Sequence, residues 1–475
     1  MSLETLVPKK YHIDNKIADP RFPPIAKYAT VEFREECAGS CRLCVKRRCV
    51  YDIFKDNALH WAHMTTPEYL YICKGCYRCI EECTKGIFSM AVNPEYRTLG
   101  DDYWTAGIIS STWRQAHTGT VPVSGAGYRG PFVGEGFDSI WTDMSEIVRP
   151  TRDGIHGREY INTVVELSRR PTRLQFNPDG SLATEMTPIL EIPVPVLFQE
   201  PTFGLLSEKE FLSVVKAANS IGTLMFVQPE RYSATLQDCA STLVPRLTRA
   251  NYRDHTQLIQ GSQMIELADD PGVEREFSKL REGRPDLFLC VGMPLDAKAA
   301  SRALQLANTD LDSIHFYATD NGREAGTEAP RPLKDMIREV HLTLVENHIR
   351  HKINLIFSGG IALAEHVAKS LLCGGDAVAV DTPLLIAMEC RVCYRCREGK
   401  SCPVRLGDVE PKWASQRIVN LVSAWHSQLL EVMGAFGIRE ARRMRGEVGR
   451  SMWFDDLERE SFGPMFGTRK VTGIG

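Results

Sequence analysis

No apolar run in the 475-residue chain approaches the roughly 18 residues that a membrane-spanning helix requires, so no span is expected. A basic excess is missing too: 57 Lys and Arg face 60 Asp and Glu, a formal charge of −3. Nucleic-acid binders carry a concentrated positive footprint, so that class is set aside. The opening Met1-Ser-Leu-Glu-Thr-Leu-Val-Pro-Lys-Lys10 lacks the charged-then-apolar order of a secretory leader, and the expected compartment is the cytoplasm. What remains is an ordinary globular balance, 43% hydrophobic and 25% charged, over a length that suggests about three domains.

Cysteine, by contrast, is plentiful. Fifteen of them in a reducing compartment are expected as ligands rather than disulfides. Cys390-Arg-Val-Cys393-Tyr-Arg-Cys396-Arg-Glu-Gly-Lys-Ser-Cys402-Pro403 sets four close together. Zinc ribbons take two separated Cys-x2-Cys knuckles, whereas Cys-x2-Cys-x2-Cys with a last cysteine before proline follows iron–sulfur ligation. Upstream, Cys73-x2-Cys76-x2-Cys79-x3-Cys83 matches the bacterial ferredoxin run, with Thr84 in the place of the usual proline. Cys37-x3-Cys41-x2-Cys44-x4-Cys49 is the same run loosened at two places. Because the fourth cysteine of each run usually serves the other cluster, one set is Cys37, Cys41, Cys44 and Cys83, and the other is Cys73, Cys76, Cys79 and Cys49. Three [4Fe-4S] clusters are therefore expected.

In chain order, residues 1–35 read as an arm laid over another part or a partner, and 36–99 as the two-cluster ferredoxin-like module. Residues 100–191 form an irregular connection. Its Gly125-Ala-Gly127-Tyr-Arg-Gly130 is a glycine-rich loop, not a dinucleotide fingerprint, since no helix pattern follows. The arginines of 149–158 are either an anion site or a solvated loop. From 192 to 413, strand patterns at 194–199, 223–228, 256–260, 286–292, 313–318, 353–357 and 377–380 alternate with helix patterns at 207–219, 235–247, 296–308, 332–349 and 362–372. The fold class is α/β, a (β/α)8 TIM-type barrel that is either trimmed or has one strand unseen. A helical tail follows over 414–475. Cys239, Cys290 and Cys373 read as buried apolar thiols, and His341 with His348 as a surface stripe.

Ser358-Gly-Gly-Ile-Ala-Leu-Ala-Glu-His-Val-Ala-Lys-Ser-Leu-Leu-Cys-Gly-Gly-Asp376, then Thr382-Pro-Leu-Leu-Ile-Ala-Met-Glu-Cys390 and Cys402-Pro-Val, resembles the FMN and cluster region of the glutamate synthase large subunit. Gln416 to Val422 and Gly437 to Arg442 are similar to the end of the archaeal-type subunit, in which a ferredoxin module precedes the barrel. The resemblance implies FMN, held by Gln260, Asp320, Gly322, Arg323, Ser358, Gly359, Gly360 and Thr382. It implies an activity too: 2-oxoglutarate, ammonia and electrons give glutamate. The family's substrate loop, Gln-Gly-Ala-Lys-Pro-Gly-Glu-Gly-Gly, is here Gln260-Gly-Ser-Gln-Met-Ile-Glu266, with Gln263 for the lysine, and no lysine lies between Arg284 and Lys298. A dicarboxylate needs cations. The family's Gly-x-Gly-Thr is here Ala379-Val-Asp381-Thr382, which sets a carboxylate beside a phosphate, with Arg323 available to offset it. Two functions follow: an electron-transferring subunit of a larger redox complex, or a synthase core fed with ammonia by a separate amidotransferase. Both imply a hetero-oligomer, and no catalytic residue is assigned.

Overall fold

Eight short strands rich in Val, Leu, Ile and Phe close on one another in a computed structural model, which describes residues 13–22, 25, 27–31, 76–86, 90–121, 135–142, 161–169, 174–184, 188–203 and 206–467. They are β1 (Val196–Gln199), β2 (Met225–Val227), β3 (Leu243–Leu247), β4 (Met264–Ala268), β5 (Phe288–Pro294), β6 (Ser313–Tyr317), β7 (Asn354–Ser358) and β8 (Ala377–Val380). All neighbours are parallel and β8 pairs with β1, Val378 opposite Val196, so the barrel is complete and not trimmed. Cys37, Cys41, Cys44, Cys49 and Cys73, the glycine-rich loop and the arginines of 149–158 lie outside the described residues.

Two expectations fail between 235 and 268. Residues 235–247 end in β3, not a helix, and 256–260 lie in helix α3 (Thr256–Gly261), with β4 beyond it. The cause is Pro245, which cannot donate to a ladder and reads as a strand breaker. In the barrel it is tolerated opposite Val227. The other described α-helices of six residues or more are α1 (Ala106–Thr118), α2 (Glu208–Ile221), α4 (Glu274–Gly283), α5 (Ala299–Leu306), α6 (Leu333–Glu346), α7 (Ala364–Cys373), α8 (Thr382–Ala387) and α9 (Pro411–Phe436). Of these, α1 lies inside the segment read as irregular. Caps fix several ends: Ser207 and Glu210 form a capping box on α2, and Glu410 accepts from Lys412 and Trp413 at the start of α9.

Strand residues alternate in facing. Phe198, Val227, Ile265, Val291, Phe316, Phe357 and Val380 pack outward with the helices. Leu197, Phe226, Val244, Met264, Cys290, Ile356, Ala377 and Ala379 belong to the other set, which fills the interior. Continuing that parity to the carboxyl ends of the strands brings Gln199, Arg246, Glu266, His315, Tyr317 and Asp381 inward. The barrel is apolar below and polar at its mouth. His341 is buried against Arg350, 3.2 Å away, so the surface stripe with His348 is not formed. Cys290 and Cys373 are buried as expected, while Cys239 is half-exposed.

Candidate active site and metal cage

At the mouth the Arg246 guanidinium donates to Gln199 Oε1 at 2.8 Å and pairs with Glu266 Oε1 at 3.1 Å. The other Glu266 oxygen lies 2.7 Å from His315 Nδ1, and the Tyr317 hydroxyl donates to Glu266 as well. Gln199 passes the chain on to Asp381 Oδ2 at 3.2 Å. Phe226 stacks on the His315 ring at 4.3 Å. Gly292 makes the space: a Cβ there would sit 1.9 Å from the Tyr317 hydroxyl oxygen and 2.8 Å from the Glu266 carboxylate.

Charge at this mouth is balanced internally. Burial works against ionised Glu266, but Arg246, then His315 and Tyr317, outweigh it and hold the carboxyl below its ordinary value. Burial lowers His315 despite Glu266 and keeps it neutral, with its Nε2 buried and without a partner. Burial, with Asp320 adding to it, raises Asp381 and favours its neutral form.

Around the mouth runs a rim built from the ends of β6, β7 and β8. Gly359 and Gly360 take φ of 91° and 67°, and their missing side chains let the turn nest on its neighbour. A Cβ on Gly359 would meet Ala318 O at 2.5 Å, and one on Gly360 would meet Gly322 N at 2.2 Å. Ser358 donates to Phe316 O at 3.2 Å, Tyr103 donates to Gly360 O, and Thr382 opens α8 with its amide on Asp381. Asp320 is bound by Thr202 and by Arg397 at 2.9 Å. The rim thus assembles Asp320, Gly322, Ser358, Gly359, Gly360 and Thr382. Arg323 turns outward to Glu135 at 2.6 Å and not to Asp381, which is met by Gln199 and the Thr382 amide, while Arg397 offsets Asp320. Gln260 stands apart at the end of α3, its carbonyl taken by Arg284.

From the rim, α8 leads directly to the cysteines. Cys390, Cys393, Cys396 and Cys402 line one cavity of about 330 Å³ with Phe203, Leu385 and Tyr394. Among the described residues no three of these sulfurs come within 4.8 Å of one another. The cavity has room for a multi-iron core. Burial, aided by the neighbouring thiols, pushes Cys390 up to about 12, so metal must displace its proton. Cys393-Tyr394-Arg395-Cys396 repeats Cys76-Tyr77-Arg78-Cys79 letter for letter. Tyr394 and Tyr77 share left-handed backbone, φ 53° and 58°, and each opens a short helical turn. That identity was visible in the sequence and is the clearest sign that both segments do one job.

The conserved region in glutamate synthase matches residues 255–439, from α3 through the cage and α9. An archaeal-type glutamate synthase [NADPH] of Dehalococcoides mccartyi is 24% identical, covering 79% of this chain and 85% of that one. The archaeal glutamate synthase [NADPH] of Archaeoglobus fulgidus is 23% identical, covering 91% and 96%. Together these matches support membership of the glutamate synthase family as a divergent member. A mandelate oxidase mutant of known structure shares 15% identity with a TM-score of 0.39, over 64% of this chain and 97% of that one, too distant to bear on function. Sequence reasoning found no cation for the substrate end and missed Arg246, because the segment holding it read as a helix. No described helix is long and apolar enough to cross a membrane.

Proposed function

We propose that this chain is an iron–sulfur flavoprotein oxidoreductase subunit of the glutamate synthase family, moving electrons between three cysteine-held clusters and an FMN site at the barrel mouth, inside a larger redox complex. The observation that carries it is the join between cage and rim: Arg397, next to Cys396, reaches Asp320 at 2.9 Å. The rim fits a phosphate-bearing flavin by its bare Gly359–Gly360 turn beside the start of α8, with Asp381 tending to its neutral form and Asp320 offset by Arg397. A flavin takes electrons singly and gives them in pairs, which suits a partner that supplies one at a time. The chain's own residues position and balance. Ser358, Gly359, Gly360 and Thr382 would hold the phosphate end, and Arg246, Glu266, His315 and Tyr317 would form the polar floor beneath the ring. Amination is not assigned, because the Arg246 charge is already spent on Glu266 and leaves no surplus cation for a dicarboxylate.

Anaerobic purification followed by iron, acid-labile sulfide and flavin analysis tests this reading. Three clusters' worth of iron and one FMN are expected; stoichiometric zinc without sulfide would overturn it. The competing reading, a synthase core taking ammonia from a separate amidotransferase, is favoured by the named activity of the relatives. Glutamate formation from 2-oxoglutarate, ammonia and reductant by the isolated chain, at roughly the 1–10³ s⁻¹ usual for enzymes, would establish it instead.

A further inference from the structure

The loop that carries the four thiols is held in an unfavourable shape. Glu389, Val392, Tyr394 and Arg405 all have positive φ, of 79°, 49°, 53° and 44°. Such backbone is strained and persists only where surroundings enforce it, most of all for a β-branched residue such as Val392. Part of the enforcement comes from the far end of the chain. Residues 13–22 lie along α1 and α9, where Asn420 accepts from the Lys16 amide and donates to the Lys16 carbonyl. Arg417, buried, donates to Ala18 O and to Ala387 O, and Trp413 donates to Asp19 O.

That course delivers Arg21 to the cage. Its amide and Nε meet the two Glu389 oxygens at 2.8 and 3.3 Å. One terminal nitrogen donates to Val404 O at 2.8 Å and the other to Arg405 O at 3.4 Å. Glu389 immediately precedes the first thiol, and Val404 and Arg405 closely follow the last. One guanidinium thus ties together both ends of the ligand loop. The Trp413 ring, 4.9 Å from its centre, holds it in place.

We propose that Arg21 is a positioning residue for the third metal centre: it clamps the mouth of the ligand loop and sets a fixed positive charge beside it. The inference rests on the cage holding a cluster, as argued above. The chemistry calls for arginine, since a lysine supplies the charge but cannot span a carboxylate and two carbonyls at once. The end of the ferredoxin-like module and the residues just after it grip the same loop from another side, Glu95 on Arg391 at 2.7 Å and Asp101 on the Tyr394 hydroxyl at 2.7 Å.

The test uses the full chain, purified without oxygen as wild type, Arg21→Gln, Arg21→Lys and Lys16→Ala. Lys16 serves as control because it meets Asn420 through its backbone. The third centre's paramagnetic signal is first identified as the one altered in Cys393→Ala. Arg21→Gln should shorten that centre's lifetime in air roughly tenfold, the factor of about one lost charge-assisted contact, and shift its midpoint potential negative while leaving the other two unchanged. Arg21→Lys should restore the potential but not the lifetime, and Lys16→Ala should match wild type. A wild-type chain with no third signal would sink the cluster reading itself. A wild type with the signal and an Arg21→Gln variant of equal lifetime and potential would overturn the clamp. Should Arg21→Gln be insoluble, a wild-type lifetime in Arg21→Lys would overturn it alone.

Discussion

Cys76-Tyr77-Arg78-Cys79 and Cys393-Tyr394-Arg395-Cys396 have the same letters and the same backbone, yet they live in different surroundings. In the first copy Tyr77 is 41% exposed, and Arg78 makes a pair with Glu82, exposed on both sides. In the second, Tyr394 packs against Phe203 at 4.9 Å and under the Arg397 guanidinium at 4.4 Å, and its hydroxyl holds Asp101. Local sequence fixes the turn. Tertiary contacts decide how tightly it is held.

The sharpest way to separate the copies is to remove one thiol. Cys393→Ala should leave the ferredoxin-like clusters intact and reduce the third site to three irons, seen after mild oxidation as an isotropic paramagnetic signal absent from the parent, since a cubane needs one ligand per iron. An unchanged signal would mean that Cys393 is not a ligand.

Acid should loosen the barrel-bound copy. His366, buried under the rim beside Gly360, is lowered to about 4, first by burial and then by Lys369 acting against Glu365. Its folded value lies below the unfolded 6.5, so the unfolded chain takes the proton first. Stability is complete above about pH 6.5 and falls as pH drops toward 4, by about 3 kcal/mol for this residue. Thermal melts across that window check it, and His366→Gln should flatten the slope.

Smaller differences follow from the contacts of the turn itself. Arg397→Ala should cost about 1–2 kcal/mol, because it removes the Asp320 pair together with the Tyr394 and Phe203 rings. Tyr394→Phe, losing the Asp101 hydrogen bond, should cost about 1 kcal/mol in denaturant titration. Arg78→Ala, in the first copy, should cost less than about 0.5 kcal/mol. Equal costs at Arg397 and Arg78 would show that the surroundings of the two copies do not matter.

Legibility in the sequence follows the same division between local and tertiary signals. Thiol spacing is a local code, so the cage residues were readable and the structure gathers them round one cavity. Strands with a clear period, such as β6, β7 and β8, were readable too. Leu243-Val-Pro-Arg-Leu247 was not, since both proline and an inward arginine argue against a buried strand, and only the partners Glu266 and Gln199 make Arg246 acceptable there. With it went the polar mouth. Gln260 was misplaced for a related reason: Thr256–Gly261 is too short for periodicity to tell helix from strand.

The pairing of Lys16 with Asn420 joins residues 404 positions apart. At 5–20 residues per second, synthesis needs roughly 20–80 s to span that distance, during which the arm has α1 but not α9 to dock on. The barrel strands and the cysteines of the cage are all made before α9 is finished. The ligand loop therefore passes through a stage in which its four thiols exist but α9, which seats the arm behind Arg21, does not. Closing of the arm over α9 thus comes after the whole ligand loop has been made.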